Sequence, residues 1–142
     1  MTATLRHSVA VLFLLCCLPG MASGKEPAPN SVLFMGTYSS FAYNSESGDL
    51  DGLEVHIFFT DKGLKATVQF ADGGAGDVAL VNVTATGTHL HFETPAGFDN
   101  EGSFDGTVSA QGLDGTYTYK GNHPEHFVLP RTIGYWDKPR SR

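Results

Sequence analysis

The sequence predicts an all-β domain in which eight antiparallel strands close into an up-and-down barrel. Apolar residues recur at every second position in a series of segments, at the short spacing typical of sandwiches and barrels. The connections between these segments are short, which favours antiparallel neighbours, because a parallel crossover needs about a dozen residues or more. In addition, an apolar–x–Gly–Thr–apolar motif occurs three times, as FMGTY, FDGTV and LDGTY at residues 34–38, 104–108 and 113–117.

The start of the chain has the features of a secretory signal peptide, which we predict for residues 1–24. Arg6 and His7 precede the apolar run VAVLFLLCCL, and PGMASG then supplies small residues for cleavage. The run is too short to span a bilayer, which takes about 20 apolar residues. Residues 25–30 form a Pro-containing leader ahead of a single barrel domain over residues 31–142. We therefore expect an exported protein, periplasmic or secreted, with no membrane span after signal cleavage.

Charge and cysteine content restrict the chemistry of the domain. The formal net charge of the chain is −6, which argues against nucleic acid and anionic membrane surfaces as partners. The two cysteines, Cys16 and Cys17, both lie in the predicted signal peptide. The mature domain is therefore expected to contain neither a disulfide nor thiol chemistry.

The opening strand is predicted around residues 32–43, and a hairpin follows it. In LEVHIFFT, residues 53–60, the apolar residues alternate with Glu54 and His56, and LKATVQF at residues 64–70 alternates in the same way. Asp61-Lys62-Gly63 between the two segments is a tight turn in which Gly can take a positive φ.

The remaining strands are joined by loops that are rich in turn residues. Further strands are predicted at residues 78–85, 89–94, 103–109, 113–120 and 127–130. We expect ADGGAGD and PAGFDNEG to be loops, and Trp136 to pack across the bottom of the barrel or on a strand edge.

The three motif copies explain why a closed barrel is preferred to an open β-sandwich, which is the alternative. In each copy the glycine shares a face with its apolar neighbours, which gives a large–small–large pattern. A small barrel has a tapered interior, and Gly permits the coiling that closure needs. Closure also removes the exposed edges that an eight-strand meander would have. We therefore interpret Gly36, Gly106 and Gly115 as devices of closure.

The order of these segments resembles a known family. FMGTY, the LEVHIFF hairpin, GLKATVQF, VALVNVTATGTHLHFE, SFDGTVSAQGLDGTYTYKG and FVLPR are similar to the small lipocalin-like (calycin-like) β-barrel of exported bacterial proteins, which often precedes a secreted α/β-hydrolase domain. Tyr38 and Tyr117 stand where that family has tryptophan. The sequence contains no G-x-S-x-G elbow, so hydrolase activity is not carried over. The resemblance implies an eight-stranded barrel and favours small-ligand binding.

The function predicted from these patterns is non-catalytic binding of a small apolar or amphipathic molecule, with no cofactor. Aromatic side chains on the inward faces are the candidate ligand contacts, and the other interpretation is that they simply fill the core. The candidates are Tyr38, Phe59, Phe70, Phe92, Phe104 and Tyr117.

Two alternative functions use other parts of the chain. An accessory or inhibitory module could bind an envelope protein through its outer face and the loops at residues 44–52 and 96–102. A metal-dependent activity could use His89 and His91, which share a strand face with Glu93 at a spacing of two residues. The competing interpretation of these three residues is a polar outer face.

Overall fold

A computed structural model describes residues 31–139 and shows an eight-stranded antiparallel β-barrel. The predicted fold is therefore confirmed, and the chain does not form an open sandwich. The signal peptide predicted for residues 1–24 and the leader at 25–30 lie outside the described residues. Within the described range, no helix has the length and apolar character needed to cross a membrane.

The elements follow the order predicted from the sequence, with differences at their ends. They are α1 Ser31–Phe34, β1 Gly36–Ser39, β2 Ala42–Tyr43, β3 Leu50–Thr60, β4 Gly63–Ala71, β5 Ala75–Thr86, β6 His89–Glu93, β7 Gly102–Val108, β8 Gly112–Tyr119, β9 His123–Thr132 and a 3₁₀ helix Tyr135–Asp137. The predicted strand over 32–43 is wrong in part, because it divides into a helical turn and two short strands. Strands β5 and β9 begin earlier than predicted, since their backbone ladders continue through polar and Gly residues.

The barrel is a meander that the first strand closes. Each strand from β3 to β9 pairs with the next, and β1 pairs with both β3 and β9. Tyr38 is therefore placed opposite Val55 on one side and Arg131 on the other. The two-residue strand β2 adds only to the start of β3.

Side chains fill the barrel interior. Leu53, Val55 and Ile57 of β3 point inward as predicted, and each is at most 1% exposed. At the centre, the rings of Phe92 and Phe104 stack with centroids 5.1 Å apart and planes inclined by 8°. The barrel thus has a packed core in which large rings meet.

Two of the motif glycines make room for one of these rings. Gly106 and Gly115 lie opposite each other on β7 and β8, and both are buried. A Cβ on Gly115 would lie 2.5 Å from Cζ of Phe104 and 2.5 Å from the carbonyl oxygen of Asp105. The large–small–large face is confirmed here, but these two glycines lie away from the closing seam and serve core packing. Only Gly36, at φ 137°, is in the closing strand.

Arg131 ties the ends of the domain together at the seam. Its Nη2 donates to the carbonyl of Leu33 at 2.5 Å and to the hydroxyl of Tyr38 at 2.5 Å. The guanidinium carbon lies 5.1 Å from the centroid of the Tyr38 ring, and the Tyr38 hydroxyl donates to the carbonyl of Phe34 at 2.9 Å. The side chain of Phe34 is 1% exposed and belongs to the core. One cation thus holds the N-terminal turn, β1 and β9.

Arg131→Ala should lower the free energy of unfolding by about 2 kcal/mol, because it removes two charge-assisted hydrogen bonds and a cation–π contact. Arg131→Lys should recover only part of this, since an ammonium lacks the planar fork. Urea denaturation measures both. Lys62→Ala removes an exposed cation from a turn and is the control, with a change below about 0.5 kcal/mol. Equal effects for Arg131→Ala and Lys62→Ala would show that the seam does not depend on Arg131.

Candidate functional site

A cleft opens at one end of the barrel, which we call the mouth. The loops at residues 44–49, 72–74, 94–101 and 120–122 connect strands at this end. The cleft has a volume of about 350 Å³. It is lined by Asp51, Gly52, Phe70, Ala71, Asp72, Asn100, Tyr119, Glu125 and Phe127.

The floor of the mouth is aromatic, with Phe70 at its centre. Its ring centroid lies 4.9 Å from that of Tyr117, 6.0 Å from Tyr119 and 6.3 Å from Phe127. Phe98 approaches the same ring from the loop above, at 6.5 Å. Period-two alternation brings these side chains together, because inward residues near the ends of β4, β8 and β9 meet at the same height. The result is an apolar base beneath a polar rim.

The loop over residues 94–101 is fixed above this floor by hydrogen bonds. The Tyr117 hydroxyl donates to the carbonyl of Asn100 at 2.5 Å and lies 2.8 Å from Oγ1 of Thr94. Oγ1 of Thr94 also accepts from the amide of Gly102 at 2.8 Å. The Gly97 amide, and next the Lys120 ammonium, hold the pKa of the Glu101 carboxyl below its ordinary value. The mouth therefore has a preformed wall.

Tyr119 is held neutral at the rim. Its hydroxyl donates to Oε2 of Glu125 at 2.8 Å. Burial raises the pKa of Tyr119 far above its ordinary value, and the hydrogen bond and negative charge of Glu125 add to the effect, followed by Tyr117 and Asp72. Burial also raises the pKa of Tyr117. Both phenols remain protonated at neutral pH.

The melting temperature should fall as pH rises above about 10. The fall should be smaller in the variant Tyr119→Phe, which has no phenol to ionise at this position. The ordinary tyrosine pKa is 10.0, and the folded pKa of Tyr119 lies higher. The stabilisation from its protonated form is therefore complete below pH 10 and is lost as pH rises towards the folded pKa. Thermal melts from about pH 8 to 11.5 measure the effect. Tyr43→Phe, at a side chain that is 58% exposed, is the control, and identical profiles for the two variants would contradict the expectation.

The rim of the mouth is acidic. Asp51, Asp72 and Glu125 border the cleft, and none of its lining residues within the described part of the chain is Lys, Arg or His. Oδ1 of Asp51 accepts from the amide of Gly73 at 2.9 Å, which fixes its position. The negative potential at this end is therefore not neutralised by a lining cation, and it favours a positively charged guest.

The six candidate ligand contacts from the sequence lie in four different parts of the barrel. Phe70 and Tyr117 meet at the mouth, whereas Phe92 and Phe104 stack in the centre. Tyr38 lies at the seam below Arg131. Phe59 is half-buried beside the turn at the far end, opposite Leu64. The structure brings together only the first pair at an open cleft, and contact of the six with a ligand stays a prediction.

Sequence reasoning missed several residues of the mouth. Tyr119 and Phe127 were detectable, since each continues the inward alternation of its strand, with Tyr117 and Leu129 respectively. The carboxylates of the rim gave no such signal. Asp51 and Asp72 flank adjacent ends of the β3–β4 hairpin, and only the closed barrel brings Glu125 of β9 beside them. Alternation identifies a face and carries no information about which loops converge.

His89 and His91 lie outside the barrel and both approach Asp105. Nδ1 of His91 is 3.0 Å from Oδ1 of Asp105, and Nε2 of His89 is 3.4 Å from the same oxygen. Nε2 of His91 faces Glu93 at 3.6 Å. Across residues 31–139, no group of three or more His, Cys, Asp or Glu side chains is arranged to hold a metal ion. His89, His91, Glu93 and Asp105 thus form a polar cluster on the outer face, and a metal-dependent activity there stays a prediction.

A second cleft, of about 680 Å³, lies on the outer wall beneath the C-terminal segment. Nε1 of Trp136 donates to Oε1 of Gln69 at 2.9 Å, and the Tyr135 amide donates to Oε2 of Glu54 at 2.8 Å. The Tyr135 ring also meets Phe41 edge-on, at 5.7 Å. Trp136 thus lies on the outer face of β3 and β4, and it leaves 47% of its surface exposed beside Tyr43.

Comparison of the chain with protein-family models, with curated proteins and with solved structures gave no match.

Proposed function

We propose that this chain is an exported, non-catalytic binding protein, periplasmic or secreted, that holds a small amphipathic molecule in the barrel mouth. The lipocalin-like resemblance of the sequence is part of this proposal. The ligand class we infer is an organic cation with a short apolar tail. The observation that carries the inference is the combination, in one cleft, of an aromatic floor and an acidic rim.

The filled interior limits where such a ligand can sit. Phe92 and Phe104 occupy the centre of the barrel, so the tail rests on the mouth rings above them. A volume of about 350 Å³ lies at the lower end of the range for small-molecule sites, which is about 300 to 1,000 Å³. The proposed ligand is therefore small, with an apolar part of a few carbon atoms.

The aromatic rings and carboxylates that line the cleft determine which ligand charge is favoured. A cation over Phe70, Tyr119 or Phe127 gains about 0.5 to 2 kcal/mol from the ring quadrupole. A carboxylate at about 4 Å contributes roughly 1 kcal/mol in water and about 4 kcal/mol at an effective dielectric constant of 20. An anion of the same shape would be repelled by Asp51, Asp72 and Glu125. Charge thus discriminates between ligands more strongly than shape.

Three probes with six carbon atoms each test the proposal: hexylammonium, hexanol and hexanoate. Calorimetric titration at low salt should give the order hexylammonium, hexanol, hexanoate, with about a tenfold step between the first two, equivalent to about 1.4 kcal/mol. Asp72→Asn and Glu125→Gln should each weaken hexylammonium about threefold to tenfold and leave hexanol unchanged. Asp61→Asn, in the turn at the far end, removes the same charge and is the matched control.

Two results would overturn this function. Absence of binding by all three probes would show that the mouth is not a ligand site. Equal affinity for hexylammonium and hexanoate would retain a mouth site but reject the charge argument. Unchanged thermal stability of the two rim variants is required for either conclusion, because a loss of fold would also abolish binding.

The outer-wall cleft favours a second candidate, a complex with an envelope protein. Exposed aromatic residues such as Tyr43 and Trp136 are enriched at the centres of protein interfaces. If this candidate holds, Trp136→Ala should abolish a cross-linked complex that Asp72→Asn leaves intact. If Asp72→Asn abolishes the complex and Trp136→Ala leaves it intact, the partner binds at the mouth.

A further inference from the structure

The rings on the floor of the mouth are inclined to one another. The plane of Phe70 makes an angle of 49° with that of Tyr119 and of 75° with that of Phe127. All three residues line the cleft, and Tyr119 and Phe127 are only half-buried. Rings stacked in parallel would offer a flat platform, whereas inclined rings form a concave surface that suits a rounded apolar group.

The polar atoms around this floor are already paired with one another. The Tyr117 hydroxyl is bonded to the carbonyl of Asn100 and to Oγ1 of Thr94, and the Tyr119 hydroxyl donates to Glu125. In the part of the chain that the structure describes, every buried side-chain nitrogen or oxygen has a hydrogen-bond partner. A ligand group with N–H donors would therefore have to compete with bonds that the protein already makes.

The carboxylates at the rim attract a cation without selecting its type. Asp51, Asp72 and Glu125 are exposed, and their charge acts through space on any positive group in the cleft. A direct ion pair with an exposed carboxylate adds little, because water competes for both partners. Selection of one cation over another must therefore come from the floor.

We propose that the charged head of the ligand is a quaternary ammonium group, a nitrogen that carries only carbon substituents. It rests on the binding function proposed above and specifies the kind of cation. A primary ammonium has three N–H donors and is strongly hydrated, so it loses water at the rings and finds no unpaired buried acceptor in return. A quaternary group has no donor to satisfy, and its methyl groups can contact several aromatic rings that attract the charge.

The same head occurs in free cations and, next to a phosphate, in zwitterionic lipid headgroups. The acidic rim disfavours the lipid source, because Asp51, Asp72 and Glu125 would repel the phosphate. No Lys, Arg or His among the described residues lines the cleft to offset that repulsion. The ligand is therefore a free quaternary cation with a short apolar tail.

Calorimetric titration at low salt with hexyltrimethylammonium and hexylammonium tests the proposal, because the two probes share a hexyl chain and a single positive charge. Hexyltrimethylammonium should bind about fivefold tighter. If hexylammonium binds as tightly or more tightly, the quaternary head is rejected while the binding function stands. If neither cation binds, and hexanol does not bind either, the binding function fails as well.

Hexylphosphocholine tests the source of the head. It carries the same trimethylated nitrogen next to a phosphate, and it should bind about fivefold weaker than hexyltrimethylammonium, or weaker still, because the rim carboxylates repel the phosphate. Equal or tighter binding of hexylphosphocholine would assign the site to a lipid headgroup and would overturn the free cation.

Leucine variants separate attraction to the rings from the larger apolar surface of three methyl groups. Phe127→Leu and Tyr119→Leu each keep an apolar side chain, and each should reduce the preference for hexyltrimethylammonium over hexylammonium to about twofold. Phe58→Leu, at a half-buried ring on the outer wall, is the matched control and should keep the full preference. A full preference in both mouth variants, with melting temperatures that show them folded, would overturn the proposed contact with the rings.

Discussion

Gly115→Ala should lower the free energy of unfolding by about 3 kcal/mol, at the upper end of the cost of overpacking a core. The added methyl group would lie 2.5 Å from the Phe104 ring and 2.6 Å from Cα of Gly106. The ring cannot move away freely, because it stacks on Phe92 and both are at most 1% exposed. Urea denaturation monitored by circular dichroism gives the value.

The matched control for this change is Gly74→Ala. No heavy atom lies within 4 Å of a Cβ at Gly74, so the free energy of unfolding should change by less than about 0.5 kcal/mol. Equal effects at the two glycines would show that the barrel relaxes around the new methyl group. The close approach between β7 and β8 would then not be a constraint on the sequence.

Phe92→Ala should lower the free energy of unfolding by about 4 kcal/mol, within the range for deleting a buried phenylalanine side chain. The ring is 1% exposed and its face lies against Phe104. Its neighbours belong to a closed sheet that cannot collapse inward, so most of the deleted volume should remain as a cavity. Differential scanning calorimetry and denaturant titration should agree on the loss.

Phe58→Ala provides the comparison on the outer face. Phe58 is half-buried and stacks on His56 with centroids 5.7 Å apart, so its removal should cost about 1 kcal/mol. Benzene should raise the melting temperature of Phe92→Ala and leave the parent protein unchanged, because apolar cavities bind such probes. An equal response in the parent would mean that its interior already contains accessible space, contrary to a filled barrel.

The hairpin over β3 and β4 shows why much of the fold was predictable. Its alternation is strict, one face is buried, and a slip of one residue would turn every apolar side chain outward. The local sequence was therefore sufficient to predict the turn at Asp61-Lys62 and the strand register that starts at Gly63. The short connections between the later strands determined the meander in the same way, and the loop predicted over 95–102 was found at residues 94–101.

The helical turn at the start of the domain shows where such reasoning fails. SVLF at Ser31–Phe34 has the composition of a strand, and the prediction extended β1 through it. Tertiary contacts decide otherwise: Phe34 enters the core, and its carbonyl accepts from Tyr38. Propensity is a weak prior when a buried side chain and a hydrogen bond compete with it.

The candidate site was predictable only in its apolar half. Phe70 and Tyr117 came from alternation, but Asp51, Asp72 and Glu125 converge because the meander brings three separate strand ends to one rim. Nothing in the local pattern around each carboxylate distinguishes it from a solvated surface residue. The sequence also did not show that β6 pairs only with residues 83–86 of β5 and leaves residues 75–82 paired with β4 alone.

The seam at β1 also determines when this chain can become a barrel. Tyr38 and Arg131 are 93 positions apart, so their contact has a far higher sequence separation than any hairpin in the sheet. Closing so long a loop costs entropy before any contact offsets it, and folds dominated by such contacts fold slowly. A nascent or truncated chain that ends before β9 can form the hairpins from β3 to β8. It remains an open sheet with two exposed edge strands. Closure is thus a late event, and it requires almost the whole described length of the domain to be present at once.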